Sequence, residues 1–193
     1  RRSSDLAYLP LARADEIAGL QFTRGMVFRR HARHAEVVPQ MAAIVAEHPD
    51  DEVAEYAANV LLDALNQQAK YEELLAWVGR MRADRRLLAH RPELVRTVEA
   101  LHVQGQRKQA ETAQAAGDVA GYARCAAIYR QVLVDVPRAE RADELLYNGG
   151  VCAEASGAVD DARTRYRALL KRYPRSALAA ATRARVKALR GGR

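Results

Sequence analysis

Two histidines, His31 and His34, are spaced so that a helix would place both imidazole rings on one face. That geometry is compatible with zinc, which takes three or four ligands from His, Cys, Asp or Glu side chains. Glu36 is the only carboxylate close to them in the sequence, so the ligand set is incomplete. We therefore interpret the two histidines as a surface pair, and we predict neither a metal site nor a cofactor.

Two acidic runs, at residues 50–52 and 160–161, could supply paired carboxylates for acid–base chemistry. Both fall at predicted helix starts, where a carboxylate caps free amides and meets the positive end of the helix dipole. The sequence contains no GxSxG, HExxH, P-loop or dinucleotide-binding motif. We therefore predict that the protein has no catalytic residues and is not an enzyme.

The chain has two cysteines, Cys125 and Cys152, and both lie among apolar residues on predicted helices. They do not have a metal-binding spacing such as CxxC. We expect two buried free thiols, which behave as small hydrophobic side chains. A disulfide is the alternative, and because its geometry is demanding the sequence favours the thiols and leaves the cellular compartment open.

The composition predicts a folded, all-α protein. Hydrophobic residues make up 49% of the 193, which is too many for a disordered chain, and the net charge is +7. Alanine, the best helix former, is abundant, and strand-length runs of β-branched residues are absent. No apolar run is long enough for a transmembrane helix. Because the chain begins at Arg1 without methionine, we expect a fragment or a processed protein.

Apolar residues recur at helical spacing along most of the chain, and Gly or Pro residues separate these segments. Residues 1–10 are expected to be loosely ordered, and residues 84–92 are expected to form a connector. Helices are predicted at about 11–34, 37–47, 53–69, 71–81, 92–116, 122–133, 144–156, 162–170 and 176–190.

The segment 143–174 carries the clearest pattern, because small and large apolar residues alternate in two helices that end at Tyr173-Pro174. The positions that carry it are Leu145, Leu146, Gly149, Gly150 and Ala153, then the break at Gly157, then Ala162, Tyr166, Leu169 and Leu170. The segment resembles one tetratricopeptide repeat (TPR), a helix-turn-helix unit of about 34 residues.

The resemblance is partial at 55–82, irregular around 122–137, and extends over roughly residues 37–190. It implies one domain over residues 1–193, built as a right-handed α-solenoid of stacked helix-turn-helix repeats with about eight or nine helices. A capping helix at 176–190 would close the stack.

In that family, the first helix of each repeat lines a groove that binds protein partners without doing chemistry. Carried over to this sequence, the implied groove residues are Tyr56, Asn59, Asp63, Asn66, Gln104, Arg107, Glu111, Gln114, Glu144, Tyr147, Val151 and Glu154. The runs at 137–148 and 171–176 resemble members from bacterial cell envelopes. The resemblance thus implies a scaffold in an envelope or motility assembly, in the periplasm or at the outer membrane, with the cytoplasm as the alternative.

A rival function follows from the basic C-terminal region. Residues 163–193 contain eleven Arg or Lys residues and no Asp or Glu. Such a stretch could bind nucleic acid or an anionic membrane surface, although few aromatic residues are available for base stacking. The candidate basic patch is Arg175, Arg183, Arg185, Lys187 and Arg190.

Overall fold

The computed structural model describes residues 14–191, and every regular element in that range is an α-helix. The all-α class predicted from the sequence is therefore confirmed, while the segment predicted to be loosely ordered, 1–10, lies outside the described residues. The helices are α1 (Ala14–Arg30), α2 (His34–Glu47), α3 (Val53–Gln67), α4 (Tyr71–Ala83), α5 (Arg85–Leu88), α6 (Pro92–Ala115), α7 (Val119–Asp135), α8 (Ala142–Ala155), α9 (Val159–Arg172) and α10 (Ala179–Gly191).

The contacts divide the chain into two compact units, residues 1–98 and 99–193, and the boundary falls inside α6. In unit 1, α1 packs on α2, α2 on α3 and α3 on α4, and α1 also contacts α3. The fully buried side chains that fill this unit include Met41, Ile44, Leu61 and Leu65. Each amphipathic helix thus covers the apolar side of the next one in the sequence, as in a helical-repeat protein.

Unit 2 repeats this arrangement, because α7 packs on α8, α8 on α9 and α9 on α10. Its core contains Tyr129, Leu145, Tyr166 and Leu169, all at most 2% exposed. The sequential helix hairpins predicted from the sequence are confirmed in both units, while a single domain over 1–193 stays a prediction.

Two adjacent glycines let α9 approach α8 closely. A Cβ atom on Gly150 would lie 2.4 Å from Cε1 of Tyr166, and one on Gly149 would lie 2.4 Å from Nη1 of Arg165. Carbon atoms normally approach no closer than about 3.5 Å. A side chain at either position would therefore push the large residues of α9 away from α8.

The expectation of free thiols is wrong, because Cys125 of α7 and Cys152 of α8 form a disulfide with an S–S distance of 2.05 Å. Their Cα atoms are 5.9 Å apart, within the range that a disulfide can span, and both residues are fully buried. The two helices pack as an antiparallel pair, which brings together cysteines 27 residues apart in the sequence. The sequence pattern placed each cysteine on a helix but did not show that the two helices face each other there.

Two local features differ from the prediction. The expected connector at 84–92 contains the short helix α5, because the Asp84 carboxylate accepts hydrogen bonds from the amides of Arg86 and Leu87, at 2.9 and 3.2 Å. This raises the number of described helices from the predicted eight or nine to ten. The predicted capping helix begins at Ala179 rather than Ser176, because Ser176 lies in a turn where its hydroxyl accepts a hydrogen bond from the amide of Leu178.

Candidate interaction surfaces

The groove residues predicted on α3 lie along its exposed side. Tyr56 is 65% exposed, Asn59 and Asn66 are exposed, and Asp63 is half-buried. The opposite side of α3 is made of alanine, valine and leucine and is buried in unit 1. The helical period separates these two sides, so the sequence placed this row correctly on one face.

The exposed side of α3 meets α1 through one aromatic contact and one ion pair. The rings of Phe22 and Tyr56 are 6.4 Å apart between centroids and tilted by 57°. Further along the helix, Arg29 donates a hydrogen bond of 2.8 Å to Asp63, which also accepts one from the amide of Gln67. We call this surface the α1–α3 seam, and it is defined by Phe22, Arg29, Tyr56, Asn59, Asp63 and Asn66.

An open acidic cleft of about 450 Å³ adjoins the start of the seam. Gly19 of the cleft lies one helical turn before Phe22 on α1, and Val53 of the cleft lies three positions before Tyr56 on α3. The cleft is lined by Glu16, Gly19, Asp50, Asp51, Glu52 and Val53. The Asp51 carboxylate accepts a hydrogen bond of 2.9 Å from the amide of Val53, the first residue of α3.

In unit 2, two predicted groove residues pair with each other. Arg107 of α6 donates a hydrogen bond of 3.0 Å to Glu144 of α8, and both side chains are mostly buried. Arg141 forms a second ion pair with Glu144. Gln104 and Glu111 are exposed on α6. The carboxylate of Glu144 therefore joins two helices and is already satisfied by guanidinium groups of the same chain.

Two more predicted groove residues, Tyr147 and Glu154 of α8, contact Arg185 of α10. The Arg185 guanidinium lies 2.9 Å from the Glu154 carboxylate and donates a hydrogen bond of 3.2 Å to the Tyr147 hydroxyl. The Tyr166 hydroxyl donates a hydrogen bond of 3.0 Å to the same carboxylate. We call these four residues the Arg185 network, and it holds α8, α9 and α10 together.

The electrostatics of the Arg185 network favour one protonation state. Burial, together with the hydrogen bond to Glu154, raises the pKa of the Tyr166 hydroxyl well above its usual range. The hydrogen bond to Tyr147 raises the pKa of Arg185, and Glu154 adds to this effect. The Tyr166 hydroxyl therefore stays protonated and Arg185 stays charged, which suits a structural role for the network. The two remaining predicted groove residues, Val151 of α8 and Gln114 of α6, are both half-buried.

The predicted basic patch is divided among different environments. Arg185 belongs to the Arg185 network, whereas Arg183 and Lys187 are exposed one turn apart on α10. Arg175 is exposed in the turn between α9 and α10. The side chain of Arg190 lies outside the described residues. Arg185 therefore links the predicted groove to the predicted patch, which the sequence alone had treated as separate surfaces.

A buried arginine, Arg165 of α9, is a feature that the sequence reasoning missed. It is 5% exposed, and its guanidinium lies 3.0 Å from the Asp161 carboxylate and 2.9 Å from the Ala126 carbonyl oxygen. Burial raises the pKa of Asp161, but hydrogen bonds from Arg165 and Arg130 outweigh this effect and hold the pKa below its ordinary value of 3.8. The spacing of four residues between Asp161 and Arg165 was the available signal.

The net positive charge belongs to one unit. Residues 1–98 contain fourteen Lys or Arg residues and fourteen Asp or Glu residues. Residues 99–193 contain seventeen Lys or Arg residues and ten Asp or Glu residues. Unit 1 is therefore neutral by formal charge, and unit 2 carries the whole excess of +7. Long-range attraction of anionic partners would act through unit 2.

The described residues define an all-α protein of successive helix hairpins. Among residues 14–191, no three His, Cys, Asp or Glu side chains are placed to hold a metal ion. None of the helices in that range has the length and apolarity needed to cross a membrane. No protein-family model matches the chain, and no curated protein is significantly similar to it. The resemblance to tetratricopeptide proteins therefore stays a prediction.

Proposed function

We propose that the protein is a non-catalytic scaffold that binds a protein partner along the α1–α3 seam. The observation that carries the proposal is Tyr56, a large aromatic side chain that is 65% exposed although it belongs to a well-packed helix. Tyrosine is enriched at protein interfaces and among the residues that dominate binding energy. Its contact with Phe22 restrains the ring, so little conformational entropy would be lost on binding.

The groups around Tyr56 suit recognition of a peptide. Asn59 and Asn66 are exposed along the same face, and each amide can donate and accept hydrogen bonds with a peptide backbone. The acidic cleft at the start of the seam would attract a basic side chain of the partner. The α1 and α3 helices are the first helices of their hairpins, which is where the tetratricopeptide resemblance puts the groove.

The buried disulfide supports a location outside the reducing cytoplasm. Disulfides persist in oxidising compartments such as the periplasm and are rare in cytosolic proteins. Together with the resemblance to bacterial envelope proteins, the Cys125–Cys152 bond supports a scaffold that belongs to a larger envelope assembly. Trapping free thiols in intact cells with an alkylating reagent would test this. Recovery of both cysteines in alkylated form would contradict the envelope location.

Site-specific photo-crosslinking tests the seam. A photoreactive residue at Asn59 should give a discrete cross-linked partner in the native organism, and the additional substitution Tyr56→Ala should reduce its yield. A matched control is Ala76, which is exposed on α4 of the same unit. Equal cross-linking from Asn59 and Ala76, unaffected by Tyr56→Ala, would show that the seam is ordinary surface.

The charge of unit 2 favours a second candidate function, binding of nucleic acid or an anionic membrane through the basic C-terminal region. Exposed Arg183 and Lys187 are the residues of the predicted patch that remain available on α10. Binding through phosphate contacts weakens steeply with salt, by a slope set by the number of contacts. A salt titration of DNA and anionic-vesicle binding, repeated with Arg183→Glu and Lys187→Glu, would support this function only if the steep slope is lost in the variant.

A further inference from the structure

Two turns of unit 2 place arginine at equivalent positions. The turn between α7 and α8 contains Pro137-Arg138, and the turn between α9 and α10 contains Pro174-Arg175. In each turn the proline comes two residues after the end of the preceding helix, and the arginine follows the proline. Both arginines are exposed.

Two hydrogen bonds connect these turns to the ends of the α8–α9 hairpin. Arg172, in the last turn of α9, donates a hydrogen bond of 3.1 Å to the carbonyl oxygen of Pro137. Ser176, which follows Arg175, contacts the Asp143 carboxylate at 2.5 Å. Pro137 thus contacts the end of α9 and Ser176 contacts the start of α8, so Arg138, Arg172 and Arg175 all lie at the same end of the α8–α9 hairpin. We call these three residues the arginine edge.

The carboxylates near the arginine edge do not neutralise it. Asp143 contacts Ser176, and Glu144 pairs with Arg107 and Arg141. Within the described part of the chain, no carboxylate lies within ion-pair distance of the three edge arginines. The three arginines of the edge are exposed, and Glu140, two residues after Arg138, is an exposed acid of the same turn.

The corresponding turn of unit 1 has the opposite charge. Between α2 and α3, Pro49 is followed by Asp50, where unit 2 has arginine after each proline. The residue that follows the proline in such a turn therefore does not need to be basic for the helices to pack. The fold therefore does not require Arg138 and Arg175 to be basic, and exposed guanidinium groups at two equivalent turns suit recognition of an anionic group.

We propose that the arginine edge docks an acidic segment of a polypeptide partner, rich in Asp and Glu. Each guanidinium can bind a carboxylate through two parallel hydrogen bonds, a geometry that lysine cannot reproduce. This inference concerns a surface in unit 2 that shares no residue with the α1–α3 seam, and it names the chemistry of the partner that a scaffold of this kind would hold.

An acidic peptide fits the edge better than a nucleic acid does. Non-specific binding to single strands uses a long basic track and aromatic rings on which bases stack. Here Tyr173 is the aromatic residue of the edge; it is half-buried, and the Arg172 guanidinium covers its ring at 5.4 Å from the centroid. Three guanidinium groups, two on short turns and one at the end of α9, match a few carboxylates on an extended segment.

The test measures binding of a fluorescently labelled peptide of alternating glutamate and serine to the full chain by fluorescence anisotropy. A peptide with glutamine in place of glutamate is the control ligand. The edge variant is Arg138→Glu with Arg175→Glu. The matched control variant is Arg124→Glu with Arg167→Glu, which reverses two exposed arginines on α7 and α9 and changes the net charge equally. Circular dichroism confirms that both variants fold.

We expect the edge variant to bind the acidic peptide roughly tenfold or more weakly, because like charges would face each other. The control variant should bind within about twofold of wild type, through its loss of general attraction alone. Binding to wild type should also weaken with salt and be absent for the glutamine peptide.

Several results would overturn the proposal: no binding of the acidic peptide at low salt, an equal loss in both variants, or no dependence on glutamate. A single-stranded oligonucleotide or anionic vesicles that bind more tightly than the peptide, and lose binding in the edge variant, would also overturn it. Photo-crosslinking at Asn59 probes unit 1 only, so its failure and the failure of the arginine edge are distinguishable.

Discussion

Replacement of Gly150 by alanine tests the close packing of α8 against α9. The added Cβ would lie 2.4 Å from one ring carbon of Tyr166 and 2.9 Å from two others. Normal carbon contacts are at about 3.5–4.0 Å, so the overlap is on the order of 1 Å. Tyr166 is fully buried, and its hydroxyl donates a hydrogen bond to Glu154, so moving the ring would disturb that bond and the surrounding core.

The expected magnitude combines two opposing effects. Overpacking of a core by one methyl group destabilises by about 1–3 kcal/mol, and the fixed ring of Tyr166 puts Gly150→Ala at the upper end. Alanine in place of glycine inside a helix stabilises by about 1 kcal/mol. We therefore expect a net loss of about 2 kcal/mol in the free energy of unfolding, and a fall in Tm of roughly 10 °C for a unit of this size.

Urea denaturation followed by far-UV circular dichroism is the appropriate assay. The single tryptophan, Trp77, lies in unit 1 and would report that unit if the two unfold separately. Gly79→Ala is the matched control, because Gly79 is also helical but nothing lies within 4 Å of a Cβ at that position. Gly79→Ala should stabilise by up to about 1 kcal/mol. If Gly150→Ala stabilises the protein as much as Gly79→Ala does, the close approach of the two helices is refuted.

Three further predictions concern unit 2. Reducing the Cys125–Cys152 bond, or replacing both cysteines by alanine, should lower the free energy of unfolding by about 3–4 kcal/mol, because the unfolded chain regains the entropy of a loop of 27 residues. Equal urea midpoints with and without reductant would contradict this. The pKa of Asp161 in the folded protein lies below the unfolded value near 3.8. The ionised Asp161 carboxylate therefore stabilises the fold above that pH, and this stabilisation is lost as the pH falls through the folded pKa. Asp161→Asn should therefore flatten the acid limb of the stability curve in that window, and an unchanged limb would argue against the buried pairing. A double-mutant cycle of Arg185→Met and Glu154→Gln should give a coupling energy of about 0.5–1.5 kcal/mol, reduced by partial exposure of the pair, and strict additivity would show that the pair contributes nothing.

The helices could be predicted because their determinants are local. Apolar spacing, glycine breaks and prolines located nine of the ten helices and the hairpin at 143–174. The exposed row of α3 was also predictable, since its opposite face is made of apolar residues at helical spacing. The short helix α5 was missed because four residues carry no periodic pattern, and the cap by Asp84 is the only local signal.

The contacts between helices could not be predicted in the same way. The sequence placed Glu144, Tyr147 and Glu154 on one face of α8, but it did not show that arginines of α6 and α10 occupy that face. The disulfide was missed for the same reason, because the register between α7 and α8 decides whether its sulfur atoms meet. Such pairings depend on helix packing, which residue types along one helix do not determine.

The disulfide also makes a covalent ring of the segment from Cys125 to Cys152, and the exposed turn with Arg138 lies inside that ring. A protease that cuts this turn would leave two pieces that remain linked through sulfur. The nicked chain would migrate as one band on a non-reducing gel and as two bands after reduction. In a compartment rich in proteases, the protein could therefore keep its hairpin together after a peptide bond in the turn has been lost.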